Sequence, residues 1–525
     1  MQRQHALTPV SPLVRRWRDL RRDGLPEGRR GLAELTLVAV LAVGLGALTS
    51  ASPLGLVAAV GLAGLAAILV MGRRSISLFH AATAGLLIGY AFLGRGLAHV
   101  GVPPLYLGEI VLALGLIAFL FRLPVRLQPT HVLLVLFMFW GLLGTVPYLA
   151  TYGLDALRDG VAWGYAVFAL VLSVTVAARH VERVVAWYRR VLPIFIVWVP
   201  FAAVVSSIMG FSDSDAPGSV PLLVFKGGDM GVHLAGVGSF ILVGLYATRR
   251  SNPLSEAALW VGWLVALVTA GAINRGGMVA ALIATSVAAF MGSAGRWLSL
   301  FLVALILAAA AGLFNPTINI GRNRAISPGQ FIENAISLFT TSGETGLQGT
   351  KEFRLAWWQA IVSYTIDGPY FWTGKGYGIN LADADGFQVT ADHSLRSPHN
   401  SHLEMLARGG VPGLALWVVV EIAFAWLVLR GFLAARAAGM TFWAAVLVWL
   451  FAYWLAASVN MSFDPYLQGP QGGIWFWSIY GLGLAAVRCV SEASRPAEGD
   501  VSEARRGVSG NVLARVDTEH AGLIT

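Results

Sequence analysis

A single cysteine, Cys489, stands among the 525 residues, so no intrachain disulfide can form, and no Cys/His spacing of the zinc type occurs. Neither covalent staples nor a structural metal is indicated, and nothing in the chain argues for a metal or any other cofactor. Charge is scarce as well: 12% of residues are Asp, Glu, Lys or Arg, against 56% hydrophobic. A soluble globular chain of this length carries far more charge, so the composition points to a polytopic membrane protein built of helices. Lysine is nearly absent, with Lys226, Lys351 and Lys375 the only three. The net charge of +9 is carried by arginines that fall between apolar runs instead of on one face. Membrane topology explains them, and no nucleic-acid partner is expected.

Windows of roughly 20 apolar residues mark about fourteen spans, with twelve as the alternative count: 32–50, 53–71, 76–98, 105–121, 130–150, 156–177, 187–209, 230–248, 256–273, 276–292, 297–314, 411–430, 441–459 and 474–490. Residues 1–31 form a basic segment, with eight arginines before position 31, suited to anionic headgroups. A signal peptide is the rival reading; no clear small-x-small cleavage site separates the first two runs, so an uncleaved first helix is expected. Alternate connections hold thirteen arginines, among them Arg73, Arg74, Arg122, Arg126, Arg189, Arg190, Arg430 and Arg436. The positive-inside rule then puts both termini in the cytoplasm. Residues 491–525 are polar and read as a disordered cytoplasmic tail. The expected organisation is spans 1–11 over 32–314, an extracytoplasmic segment over 315–410, and spans 12–14 over 411–490.

The segment 315–410 is too long and too aromatic for a plain connection. Residues 351–365 read as a helix with Phe353, Trp357, Ala360 and Ile361 on one face. All three lysines, together with Arg322, Arg324, Arg354, Arg396 and Arg408, fall outside the membrane, an excess of cations where few belong, which suggests an anionic ligand. Polar residues also gather at the outer ends of the spans: Glu109, Arg158, Asp159, Asp229, His233, Asn274 and Arg275. They are either site residues or ordinary headgroup anchors paired with one another. Glu421 lies mid-span and is expected to hydrogen-bond inside the bundle. Arg275 occupies a sharp turn, Ala-Ile-Asn-Arg-Gly-Gly-Met, where glycines admit a ligand to the backbone and a guanidinium fork matches phosphate oxygens. Arg354 is the equivalent candidate from the loop, or else pairs with Glu352 or Glu344. Gly374-Lys375-Gly376-Tyr377-Gly378 lacks a following P-loop Lys-Ser/Thr and reads as a loop.

The chemistry is placed in Ser397-Pro398-His399-Asn400-Ser401-His402 and its continuation to Gly413. Ser397 suits an N-cap, Pro398 the first helical position and Gly409-Gly410 a stop, so the spacing predicts a short helix over 398–408 with His399 in its first turn. Unpaired N–H groups and the positive helix end would favour an anion there and keep the imidazole neutral, a usable general base. A polar turn leading into a membrane helix is the plain alternative.

His399-Asn400, nine residues, then Gly410-Val411-Pro412-Gly413 resembles the H-[NSQ]-x9-G-x-x-G pattern of the O-antigen ligase and O-antigen polymerase superfamily. The similarity covers roughly residues 265–430. It implies a GT-C-like, all-α membrane bundle that moves a glycan from a polyprenyl (undecaprenyl) pyrophosphate carrier to an acceptor hydroxyl of a glycan or glycolipid. The reaction would occur at the outer face of the bacterial cytoplasmic membrane, without metal and with inversion. The resemblance maps His399 to the catalytic base and Arg275 and Arg354 to the pyrophosphate clamps. Asn400, His402, Lys375 and Arg158 are supporting candidates, and Gly410 and Gly413 are the motif glycines. Two departures are the count of fourteen spans against about twelve and Val279 where ligases often carry Leu. A polymerase using the same site is the alternative, and a lipid-linked glycan flippase, which would bind without reacting, is the second.

Overall fold

The computed structural model describes residues 74–102, 105–120, 128–208, 221–247, 253–292, 317–319, 325–327, 329–331 and 345–494. The expected spans 32–50, 53–71 and 297–314, the basic N-terminal segment and the C-terminal tail from 495 lie outside the described residues; residues 491–493, expected in that tail, continue the last helix, which runs Pro470–Ala493.

Fourteen α-helices of five residues or more stand among the described residues: α1 (Arg74–Leu93), α2 (Leu107–Leu120), α3 (Pro129–Thr145), α4 (Leu154–Gly164), α5 (Ala166–Thr175), α6 (Ala178–Ile208), α7 (Gly227–Leu242), α8 (Pro253–Ile273), α9 (Arg275–Met291), α10 (Thr345–Ile366), α11 (Leu381–Asp385), α12 (Ser401–Ala437), α13 (Thr441–Met461) and α14 (Pro470–Ala493). Strand structure among the described residues is limited to two hairpins of two-residue strands, Gly101–Val102 with Leu105–Tyr106 and Ile318–Asn319 with Ala325–Ile326. The protein is an all-α polytopic membrane protein: eight helical stretches among the described residues are long and apolar enough to cross a membrane.

The chain divides into two compact units, one taking 1–80 and 113–121, the other 81–112 and 122 onward. In the first, the ring of Phe79 covers Gly115. The second contains the rest of the bundle, with α13 in contact with α7, α9, α12 and α14. Helix α7 is buried along its whole length. Its approach to α9 is so close that a Cβ at Gly231 would run into the Gly277 backbone. Small residues supply such contacts in membranes, where hydrophobicity does not drive helices together.

Outside the bundle, α10 buries Trp357 and Ile361 against Leu381, Ala382, Leu406 and Ala407, with Phe353 packed alongside. That is the face expected from the sequence spacing. Trp357 stacks on Phe387 with centroids 5.4 Å apart, and its indole donates to Asp385 at 2.7 Å. Because Leu406 and Ala407 belong to α12, the outer segment and the start of that helix share one core.

Candidate functional site

The backbone around His399 departs from the expected helix. Helix α12 begins at Ser401, and its cap is Asn400, whose side-chain oxygen accepts from the N–H groups of His402 (3.0 Å) and Leu403 (3.1 Å). Ser397 is not the cap: its hydroxyl lies 3.5 Å from Glu404. The first free N–H groups of the helix are therefore taken by Asn400, and the anion cradle expected from them is closed. His399 sits before the cap at φ 55°, in the left-handed region, which costs an ordinary residue roughly 1–2 kcal/mol. It is held there by the cap on one side and, on the other, by the Trp358 indole, which donates to the Pro398 carbonyl at 2.9 Å.

Burial is the first reason the His399 imidazole is pushed down from 6.5 to about 4, and the positive charges of Arg354 and Lys226 add to it, opposed by Asp464. Burial and neighbouring cations, rather than the helix dipole, are what favour a neutral imidazole at this position. Arg354, on α10, donates to the Phe463 carbonyl at 3.4 Å. Burial and the neighbouring Arg275 lower its own pKa, while Asp464 raises it. Arg275 opens α9 immediately after its cap, Asn274, whose side chain accepts from Gly277 N–H at 2.9 Å. Lys226 pairs with Asp464 at 2.7 Å and with Asp229 at 3.7 Å. Two cations and a carboxylate from three separate segments, Arg354, Lys226 and Asp464, act on the His399 imidazole, and Arg275 acts on Arg354.

Asp464 was not legible as a site residue, and Lys226 was noted only as an external cation. The available signal for Asp464 is that it is the only acidic residue between Glu421 and Glu492, in the turn Ser462-Phe463-Asp464-Pro465. That turn is held by Ser401, which donates to the Asp464 carbonyl at 3.0 Å, and by Lys226, which pairs with the Asp464 carboxylate.

The supporting candidates go elsewhere. His402 lies between the Trp417 indole and the Ser458 carbonyl. Lys375 forms a close ion pair with Asp385 and rests 4.2 Å from the Tyr364 ring centre. Arg158 pairs with Asp155 at 3.8 Å. Asp159, one residue on, accepts from Arg396 at 3.1 Å, Arg408 at 3.0 Å and Gly378 N–H at 3.0 Å, while Arg408 also binds Glu404 at 2.8 Å. Glu109 accepts from the Tyr165 hydroxyl, His233 contacts the Tyr453 hydroxyl at 2.7 Å, and Glu421 accepts from Ser458 at 2.7 Å. Of the polar residues at the span ends, Arg275, Asn274 and Asp229 adjoin the His399 cluster; Asp159 serves to dock the loop.

The glycine-rich turn is docked as well. Its N–H groups at Lys375, Gly376 and Tyr377 donate to the carbonyls of Ala407 (2.7 Å), Arg408 (3.1 Å) and Gly144 (3.1 Å), leaving no phosphate cradle there. Gly410 breaks α12 at φ 66° to receive this turn, and the Val411 N–H donates to the Phe371 carbonyl at 2.8 Å. Gly409 and Gly413 border Trp140, whose indole donates to the Gly409 carbonyl at 2.9 Å.

No curated protein matches the chain. Residues 257–418 match the family model described as O-antigen ligase, a stretch that contains Arg275, Arg354, His399, Gly410 and Gly413 and leaves out Lys226 and Asp464. That match, over about a third of the chain, makes this region similar to the O-antigen ligase family and supports kinship with the O-antigen ligase superfamily.

Proposed function

We propose that the protein is a metal-independent, inverting ligase that transfers a glycan from polyprenyl pyrophosphate to an acceptor hydroxyl at the outer face of the cytoplasmic membrane. The observation that carries this reading is a neutral, partly buried His399 beside Arg354, with Arg275 next to that arginine. The acceptor oxygen attacks the anomeric carbon and gives its proton to the imidazole. The bond from that carbon to the phosphate oxygen breaks on the opposite face, and its electron pair leaves with the pyrophosphate. Arg275 and Arg354 take the charge developing on the leaving group, which is usually the largest catalytic contribution.

Burial, and after it the nearby cations, hold the His399 imidazole in its neutral, proton-accepting form. Cations beside His399 weaken it as a base, and a bound pyrophosphate cancels their push, so the imidazole gains basicity when the donor arrives. The proton left on the imidazole passes to the departing phosphate or to water.

Purified protein in nanodiscs, given a polyprenyl-pyrophosphate-linked glycan in the presence of EDTA, tests the reading. Transfer is expected to survive chelation and to be lost in His399→Ala while donor binding persists. Near wild-type transfer by His399→Ala would overturn the mechanism. A ladder of products on the carrier identifies a polymerase, a single step to a second acceptor a ligase, and binding without transfer in both proteins a carrier-lipid flippase.

A further inference from the structure

Helix α10 has a second face. Opposite the buried Trp357, Ile361 and Thr365, the side chains of Leu355, Val362 and Ile366 are exposed, seven and four residues apart, and so form one stripe. The turn that follows continues it with Tyr370 and with Trp372, which is 70% exposed. Gln359, Ser363 and Asp367 border the stripe and are exposed too. A protein core would exclude that border, whereas a helix lying in a membrane interface needs it.

The depth of the turn is set by its hydrogen bonds. Phe371 accepts from Val411, the residue at which α12 resumes beyond the Gly410 break. From Val411 to Leu429 the helix carries one charged residue, Glu421, and its exposed residues are Ala415, Val418, Val419, Ile422 and Trp426, all apolar. Nineteen residues at about 1.5 Å each match a hydrocarbon layer of roughly 30 Å, so Val411 stands at its outer boundary. Trp372 projects beside that boundary, where tryptophan and tyrosine concentrate in membrane proteins.

We infer that the outward stripe of α10 and the Tyr370–Trp372 turn are an interfacial membrane anchor whose partner is the lipid of the outer leaflet. The inference requires only that the bundle is embedded in a membrane and holds whatever the reaction is. It has a consequence for the site, since α10 carries Arg354 and its Trp358 holds the peptide before His399. The lipid boundary thereby sets the height of the site at the level where a carrier's phosphates lie.

Site-directed spin labelling of the full chain in phosphatidylethanolamine–phosphatidylglycerol liposomes tests it. In a Cys489→Ser background, labels are placed at Ile366→Cys and Trp372→Cys. Ile422→Cys serves as the lipid-facing control and Ala391→Cys as the water-facing one; the side chains at all four label positions are exposed, so the labels themselves displace no packed group. The ratio of oxygen to nickel-chelate collision is expected to be severalfold higher at 366 and 372 than at 391, approaching that at 422. A ratio equal to that at 391 puts the face in water and overturns the inference. Exclusion of both reagents means that protein, such as a second copy of the chain, covers the face, and overturns it equally.

Discussion

The indole of Trp417 donates to Nδ1 of His402 across 2.9 Å, which obliges the His402 proton to sit on Nε2, where it meets the Ser458 carbonyl 3.0 Å away. Both nitrogens are occupied and neither is left to accept a proton from substrate. His402 is a strut between α12 and α13, although it stands three residues from His399. We expect His402→Ala to lower the unfolding midpoint by an amount typical of a buried bond in a membrane bundle, about 1 kcal/mol, with transfer retained in the protein that folds. His399→Ala should leave the midpoint nearly unchanged and reduce turnover about 10²–10⁴-fold. The reverse pattern would exchange their roles.

The acid side of the pH profile should follow His399. In the free protein its pKa of about 4 predicts that kcat/KM falls only near that pH, well below 6.5. Arg354→Gln removes a cation that disfavours the imidazolium, so the acid limb should move upward, toward 6.5. Folding is linked with the same sign. Between pH 4 and 6.5 the unfolded chain binds the extra proton, so this contribution is complete above 6.5 and is lost as pH falls toward 4. Comparing unfolding midpoints of wild type and His399→Gln across this window checks it.

Arg396 and Arg408 converge on one oxygen of Asp159, and all three are largely withdrawn from solvent. Asp159→Asn leaves two guanidinium groups without their shared anion, a change that costs about 3–5 kcal/mol when a buried ion pair loses one partner. Denaturant unfolding in micelles should show a loss of that order, with Asp159→Glu milder. A loss below about 0.5 kcal/mol, the usual range for a surface change, would mean that the network does not hold the loop.

Gly410 and Gly439 both have positive φ, 66° and 68°. A Cβ at Gly439 meets nothing within 4 Å, while at Gly410 it meets the Phe371 carbonyl and the Gly374 backbone. Gly439→Ala should therefore cost only the backbone strain, roughly 1–2 kcal/mol. Gly410→Ala should cost clearly more and lower the yield of folded protein. Equal effects in paired expression and melting experiments would show that the break in α12 tolerates a side chain.

Much of the outer segment could be read locally. The inward face of α10 follows from apolar spacing at Phe353, Trp357 and Ile361, and the Asn274–Arg275 turn from the glycines after it. The start of α12 could not be read in this way, because Ser397-Pro398-His399-Asn400 offers two residues able to cap, and the choice rests on Glu404 and Trp358, which no local rule weighs. Lys226 and Asp464 are separated by more than two hundred residues and meet only when α7 and the α13–α14 turn pack together. A pairing of that kind has no periodicity and no spacing to detect. The same holds for the glycine-rich turn, whose N–H groups are taken by α12 and α3.

The bond from Trp358 to the Pro398 carbonyl gears His399 and Arg354, the proposed base and clamp, to one rod. If a thicker or thinner bilayer shifts α10 along the membrane normal, Arg354 and His399 travel together, and their mutual spacing is preserved while their reach toward a donor's phosphates changes. Bilayer thickness should then act as a tuning of substrate capture, seen in KM, and leave the alignment that governs turnover untouched.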